Sequence, residues 1–106
     1  MNVEQKIIQL LGLATRAGKV VTGEELVVRE VQAKRARLVI ISEDASANTM
    51  KKITDKCSFF NVEKHVFGDR VLLGHAVGKE SRVVLAITDA GFSSKFSEYL
   101  NEYTRR

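Results

Sequence analysis

The chain has 106 residues, of which 44% are apolar and 28% are charged. This balance is typical of one globular domain with a buried core, and it excludes the low hydrophobicity and high charge of disordered chains. Seventeen Lys and Arg residues against thirteen Asp and Glu residues give a net charge of +4, which modestly favours a polyanionic partner.

The N-terminal segment carries the signals of an amphipathic helix. Asn2 and Gln5 have the spacing of a capping box, which satisfies free amide groups at a helix start. Gly18 is a natural stop, so the helix is predicted at about 2–17. Its apolar stripe is expected to face the core and consists of Val3, Ile7, Leu10 and Ala14.

The next elements alternate between strand and helix patterns. A continuous apolar run at 38–41 and a mostly apolar stretch at 82–88 predict strands that are buried on both faces and therefore covered by helices on both sides. Shorter strands are predicted at 20–21 and 65–67. The patterns between them predict helices at about 23–33, 45–58, between Asp69 and Gly78, and 91–104. Together these helices and strands predict an α/β fold, a three-layer α/β/α sandwich with a mixed sheet of about four strands.

The faces of the second predicted helix follow from the turn of about 100° per residue. Three apolar residues fall together on a core face: Val27, Val28 and Val31. The opposite face carries Glu25, Arg29, Gln32 and, near them, Leu26. An exposed leucine beside an arginine suits a contact surface. The alternative is that Leu26 is an ordinary surface residue and that Glu25 and Arg29 form a simple ion pair.

Three segments in a fixed order and spacing carry a family resemblance. They are Thr22-Gly23-Glu24-Glu25, the stretch 36–44 that reads ARLVIISED, and the stretch 73–79 that reads LGHAVGK. Together they resemble the RNA-binding family of the ribosomal proteins L7Ae and L30e, which is built around recognition of kink-turn RNA. The resemblance covers about 23–89. It implies an L30e-like fold and a bacterial, ribosomal-protein-like member that binds structured RNA, including ribosomal RNA.

The resemblance assigns the sheared guanine-adenine pairs of a kink-turn to the helix after Gly23. The family's Asn-Glu or Lys-Gln pair falls on Glu25 and Leu26, and its Lys falls on Arg29, which keeps the charge. Ionised Glu25 only accepts hydrogen bonds and Leu26 makes none. Glu24 adds negative charge beside them. Recognition of the guanine edges is therefore expected to be weaker than in the family, or to use Glu25 as an acceptor from guanine amino groups.

The family's pocket for the base flipped out of the RNA bulge maps on Ser46, Met50 and Arg70. A serine can hydrogen-bond, a methionine can pack on a base, and an arginine can reach a base or a phosphate. The structural alternatives are a helix cap for Ser46, a core position for Met50 and a solvated charge for Arg70.

The third element that the resemblance implies is a loop which, in relatives, lies against the bulged RNA strand. The loop consists of Lys79, Glu80, Ser81, Arg82 and Val83. Lys79 and Arg82 replace some of the apolar character of the loop with charge, as in the L30e branch. We therefore expect salt sensitivity to be a larger part of the RNA affinity.

The cysteine, histidine and glycine patterns predict neither a catalytic nor a metal site. Cys57 is the only cysteine, which excludes an internal disulfide and a zinc site of clustered thiols. Gly74 and Gly78 are spaced one residue short of a phosphate loop. His65 and His75 have no recognisable acid or nucleophile partner. We expect no catalytic residue, no metal and no cofactor.

No stretch of the chain approaches the eighteen or so apolar residues that span a bilayer, and the N-terminus does not read as a signal peptide. We therefore expect a cytoplasmic protein without a membrane partner. Two functions fit the sequence. The first is a monomeric, non-catalytic, ribosome-associated or RNA-chaperone-like protein over 1–106 that selects the bent form of a kink-turn RNA. The second is a protein-interaction or accessory module on the same scaffold, with a weakened RNA site around Leu26.

Overall fold

The computed structural model describes residues 1–105, in which five helices and four strands form. In chain order they are α1 (Val3–Arg16), β1 (Val20–Thr22), α2 (Glu24–Gln32), β2 (Leu38–Ile41), α3 (Ala47–Phe59), β3 (Glu63–Val66), α4 (Arg70–Ala76), β4 (Val84–Ile87) and α5 (Ala90–Thr104). The predicted elements are confirmed in type and order, with ends that shift by no more than two residues.

The four strands form one mixed sheet in the order β1-β4-β2-β3. β2 and β3 run parallel, and β4 runs antiparallel to both of its neighbours. The carboxyl ends of β1, β2 and β3 therefore lie at the same edge as the amino end of β4. This edge receives the starts of α2, α3 and α4.

The side chains of β2 and β4 alternate between two core layers. Leu38 and Ile40 pack in a cluster with α1, α4 and α5, whereas Val39 and Ile41 pack in a second cluster with α2 and α3. All four are fully buried. Burial of one such side chain contributes roughly 1.5 to 3 kcal/mol to the stability of the fold, relative to leaving it exposed. This arrangement confirms the three-layer α/β/α sandwich.

The helix faces agree with the sequence patterns. In α1 the capping box forms, since the backbone amide of Gln5 donates to Asn2 Oδ1 at 2.8 Å and the backbone amide of Asn2 donates to Gln5 Oε1 at 3.0 Å. Leu10 packs half-buried against the core, as expected. Leu11, which continues the four-residue step from Ile7, is fully buried beside it, and the sequence pattern did not include it.

The second helix has the core face that the sequence predicts. Val27 and Val31 are buried, and Val28 packs half-buried at the edge of the same cluster.

Within residues 1–105, none of the helices combines the length and apolar content that crossing a membrane requires.

Candidate nucleic-acid interface

The segments that the resemblance assigns to RNA meet at one edge of the sheet. We call this edge the site end; it consists of residues 22–26, 42–46, 67–70 and 79–83. Backbone hydrogen bonds join these segments. The Ser42 amide donates to Val83 O at 2.8 Å, and the Arg82 amide donates to Arg70 O at 2.9 Å. Arg29 and Met50 lie one turn further along α2 and α3.

Three helices point their amino ends towards the site end. The Ser46 hydroxyl caps α3 by accepting from the Thr49 amide, and the Asp69 carboxylate caps α4 by accepting from the Leu72 amide. The start of α2 has no side-chain cap, because Gly23 is its N-cap. The amino end of α2 therefore presents backbone amides and a partial positive charge at the surface.

Gly23 has a backbone conformation that favours glycine. Its φ is +98°, a region that L-residues with a side chain rarely adopt. A Cβ atom at this position would have no neighbour within 4 Å. Backbone conformation rather than crowding therefore explains the glycine, and the absence of a side chain leaves the start of α2 open to a ligand.

Glu24 is engaged within the protein. Its Oε1 accepts from Thr49 Oγ1 at 2.7 Å, and its Oε2 lies 3.2 Å from Lys52 Nζ. The hydrogen bond from Thr49, followed by that from Lys52, lowers the pKa of the Glu24 carboxyl below its ordinary value. The carboxylate thus ties α2 to α3, a role that the sequence did not reveal.

Glu25, Leu26 and Arg29 all lie at the surface of α2, and Leu26 is 47% exposed. Among residues 1–105 no hydrogen bond or ion pair joins Glu25 to Arg29, so the ion-pair alternative does not describe this structure. A shallow depression runs between these two residues and is lined by Glu25, Val28, Arg29, Gln32 and Lys52. The Arg29 guanidinium is available to an incoming acceptor.

Ser46 and Met50 both have structural roles at the start of α3. Ser46 Oγ accepts from the Thr49 amide at 3.1 Å, which leaves its own O–H to donate elsewhere. Met50 is half-buried and packs against the cluster beneath α2 and α3. Met50 lies four residues after Ser46, on the same face of α3, so the cap and the core position are compatible with a contact to a ligand.

Arg70 is held in place rather than free in solvent. Its backbone amide donates to Asp44 Oδ1 at 3.1 Å, its Nε donates to Asp44 Oδ2 at 3.2 Å, and its guanidinium donates to Asp44 O at 2.7 Å. The side chain is still 45% exposed, so Arg70 is a solvated charge that is also paired with Asp44. Asp44 was missed in the sequence. Because β2 and β3 run parallel, residues that follow them meet at one edge, and this topology would have indicated the pair.

The loop 79–83 packs directly on the backbone of α4. A Cβ atom on Gly74 would lie 2.5 Å from Ser81 Cα and 2.7 Å from Ser81 N, so only glycine allows this approach. The Lys79 amide also donates to Gly74 O at 2.8 Å. These contacts fix the position of the loop relative to Arg70 at the start of the same helix.

Within the loop, the Arg82 side chain is fixed by hydrogen bonds, whereas the Lys79 side chain is exposed. Arg82 Nε donates to Thr22 Oγ1 at 3.0 Å, and its guanidinium donates to Ser81 O at 2.7 Å. Arg82 is half-buried and braces the loop against the end of β1. Lys79 and Glu80 are exposed, so Lys79 carries the more accessible positive charge of the loop.

The remaining titratable candidates lie away from the site end or are buried. Burial raises the pKa of the Cys57 thiol to about 11, so the thiol stays protonated at neutral pH.

The prediction that His65 has no acid partner was wrong, because His65 Nε2 lies 2.7 Å from Glu63 Oε2. The two-residue spacing on β3 would have indicated this contact. Within residues 1–105 no three His, Cys, Asp or Glu residues group to hold a metal ion.

The chain is similar to known proteins over most of its length. The model of the ribosomal protein L7Ae/L30e/S12e/Gadd45 family matches residues 5–97. The RNA-binding protein YlxQ of Bacillus subtilis is 52% identical over 92 residues, which cover 87% of this chain and 92% of the relative.

Two solved structures are also similar. A Bacillus halodurans protein of unknown function has 47% identity, covers 91% of this chain and 97% of its own, and gives a TM-score of 0.88. The 15.5-kD RNA binding protein of Giardia lamblia shares the fold at 18% identity and a TM-score of 0.81, over 94% of this chain and 86% of its own.

Proposed function

Since the chain belongs to the ribosomal protein L7Ae/L30e/S12e/Gadd45 family, we propose that it is a non-catalytic RNA-binding protein that recognises kink-turn RNA. The observation that carries this proposal is the meeting, at one end of the sheet, of segments that are far apart in sequence and that the family resemblance assigns to RNA. The protein acts as a monomeric cytoplasmic domain over 1–106 and associates with ribosomal or other structured RNA.

In this proposal α2 contacts the sheared guanine-adenine pairs. The Arg29 guanidinium donates to guanine acceptors, for which its two-pronged geometry is suited. Glu25 accepts from guanine amino groups, and Leu26 contributes apolar contact only. The open backbone at Gly23 supports a close approach of the RNA to the uncapped start of α2, where partial positive charge favours phosphate.

The flipped base of the bulge contacts the exposed surface of Met50. Ser46 offers a hydroxyl donor beside it, and Arg70 offers a guanidinium that Asp44 already orients through two hydrogen bonds. An arginine that is oriented before binding loses less side-chain entropy when it contacts RNA. This preorganisation compensates in part for the weaker recognition of the guanine edges by Glu25 and Leu26.

The loop 79–83 supports the bulged strand. Its packing on Gly74 and the brace from Arg82 to Thr22 keep the loop in one position. Lys79 contributes a phosphate contact, so the affinity is sensitive to salt. The protein binds the bent RNA and thereby shifts the RNA ensemble towards it, which makes binding and bending a single linked equilibrium.

Fluorescence energy transfer between the two arms of a kink-turn RNA tests this function. Addition of the protein should raise the transfer efficiency, because the arms approach each other when the RNA bends. An RNA whose sheared pairs are replaced by Watson-Crick pairs should show no change. The proposal fails if the protein leaves the transfer efficiency of both RNAs unchanged, or raises it equally in both.

A second function is favoured by one observation, the 47% exposure of Leu26 beside Glu25. In this alternative, Leu26 and the neighbouring loops contact a protein, and the scaffold serves as an interaction or accessory module. The replacement of Leu26 by Ala distinguishes the two. Loss of a co-purifying protein, with RNA binding unchanged, would support the alternative.

A further inference from the structure

The edge of the sheet opposite the site end carries a group of exposed cations. We call this edge the far end and the residues Lys19, Lys34 and Arg37 the far-end cations; all three are exposed. β1 and β2 begin at the far end, β4 ends there, and α1 and α2 finish close by. The far-end cations have no part in the proposed contact with a kink-turn.

Strand pairing brings Lys19 and Arg37 to the two sides of β4. Ile87 pairs with both Val20 and Leu38, the residues that follow the two cations. The Arg37 amide donates to Ile87 O at 2.7 Å, and Lys19 O accepts from the Thr88 amide at 3.0 Å. The two backbones are therefore separated by two strand spacings, roughly 10 Å.

Lys34 lies at the tip of the turn that follows α2. The Arg35 and Ala36 amides both donate to Glu30 O, at 2.9 and 3.1 Å, which closes the turn beneath it. The φ of Lys34 is +62°, a conformation in which glycine or asparagine is more usual after a helix. A lysine is thus held at a strained and exposed position three residues before Arg37.

The carboxylates around the far-end cations are engaged by other groups. Residues 5–23 and 31–42 contain no Asp or Glu. Glu30 is engaged by Arg35, whose guanidinium lies 2.6 Å from its carboxylate, and Asp89 caps α5 by accepting from the Phe92 amide. Glu63, which pairs with Leu38 at the start of β3, contacts His65 Nε2 at 2.7 Å and accepts from Ser97 Oγ at 2.6 Å. In residues 1–105 the far-end cations take part in no ion pair.

We propose that the far-end cations form a second RNA-contacting surface, which binds the phosphates of a duplex segment other than the one held at the site end. This inference rests on the proposed function, because it takes RNA as the partner. Dispersed cations without an apolar pocket suit a phosphate backbone, which is read by charge and not by base sequence. The strands between the two ends span four residues, roughly 13 Å, so a phosphate at one end is out of reach of the other.

The test uses a labelled RNA duplex of about 20 base pairs that contains no kink-turn. Its binding is measured at several salt concentrations between about 50 and 200 mM for the wild type and for the triple variant K19Q/K34Q/R37Q. The control is K6Q/K95Q/R105Q, which loses the same three charges from α1 and the C-terminal helix region. Each titration is repeated with the site end saturated by an unlabelled minimal kink-turn RNA.

We expect the triple variant to bind the duplex about tenfold more weakly at low salt and its log–log salt slope to fall by about 2 to 3, as the loss of three phosphate contacts requires. The control variant should stay within about twofold of the wild type. Saturation of the site end should leave duplex binding in place, as a ternary complex.

The inference is overturned if the triple variant and the control behave alike, or if the kink-turn RNA displaces the duplex. Failure of the proposed function is recognised separately. In that case the wild type binds a kink-turn RNA and its Watson-Crick counterpart equally. The comparison of the two triple variants on the plain duplex still tests whether the far-end cations contact RNA.

Discussion

At the first turn of α2, Glu25 and Leu26 occupy the two positions where the family resemblance places a polar pair that reads RNA. Both side chains are exposed, and neither is required for the core. The double change of Glu25→Asn and Leu26→Glu installs the family pair without altering the net charge. We expect affinity for a kink-turn RNA to rise about tenfold, since a net hydrogen bond contributes roughly 1 kcal/mol or slightly more. Unchanged or weaker binding in a fluorescence titration would contradict this assignment.

Arg29 is the one positively charged residue within α2, and the proposed guanine contact uses it. The change Arg29→Ala should weaken kink-turn binding by about tenfold or more, as for other arginines that contact a base edge. The matched control is Arg105→Ala, which removes the same charge near the end of the chain. Equal losses in the two variants would indicate that only net charge matters.

The sequence identified these surface residues but not their partners. Arg70 was predicted as a site residue, whereas the three hydrogen bonds that it donates to Asp44 depend on the parallel pairing of β2 and β3. Glu24 likewise contacts Thr49 and Lys52 on another helix. Contacts between residues far apart in sequence require the topology, which periodicity and spacing do not give.

At the scale of secondary-structure elements, Gly74 sets the distance between α4 and the loop 79–83. The change Gly74→Ala should lower the free energy of unfolding by roughly 1 to 3 kcal/mol, because its Cβ meets the backbone of Ser81 and not a flexible side chain. Kink-turn binding should weaken with it. Chemical denaturation and a binding titration measure the two effects.

The control for this change is Gly12→Ala in α1. A Cβ at Gly12 would have its nearest neighbours at 3.7 and 3.9 Å, which are ordinary contacts. Removal of a glycine from a helix interior should raise the free energy of unfolding by about 0.5 to 1 kcal/mol. If the two alanine variants changed stability in the same direction, the close packing of the loop on α4 would be wrong.

The tie between α2 and α3 depends on pH through Glu24. Its pKa is lowered from the ordinary value of 4.5, first by the Thr49 hydrogen bond and then by that of Lys52. The stabilisation is therefore fully present above this ordinary value and is lost as the pH falls through the lower pKa of the folded state. The melting temperature of the wild type should exceed that of Glu24→Gln at pH 7, and the difference should shrink as the pH falls below 4.5.

The variant Thr49→Val checks the cause of this pH dependence. It removes the principal hydrogen bond to Glu24 while it preserves the shape of the side chain. The pH-dependent difference between Glu and Gln at position 24 should be smaller in this background. A difference of the same size at every pH would contradict the role of the Glu24 carboxylate.

At the scale of the whole molecule, the fold was predictable because its central strands are buried on both faces. The buried stretches at 38–41 and 82–88 required helices on both sides, and the structure has them. The strand order, with β4 between β1 and β2, did not follow from those stretches, because β2 and β4 are fully apolar and carry no alternation that distinguishes neighbours. The gathering of the site segments at one edge depends on this order.

The two ends of the sheet differ in the state of their charged residues. The site end combines Arg70, Lys79 and Arg82 with several carboxylates, whereas the carboxylates near the far-end cations are engaged by other groups. Specific recognition is therefore expected at the site end, from shape and hydrogen bonds, and less specific attraction at the far end.

The most direct test of the account is titration calorimetry of the wild-type protein at about physiological salt with two RNAs. One is a standard kink-turn, and the other is the same RNA with its sheared guanine-adenine pairs replaced by Watson-Crick pairs. The account predicts tight binding to the first that is lost with the second, despite Glu25 and Leu26. Equal, salt-sensitive, micromolar binding to both would contradict it and would leave only a basic surface without structure-specific recognition.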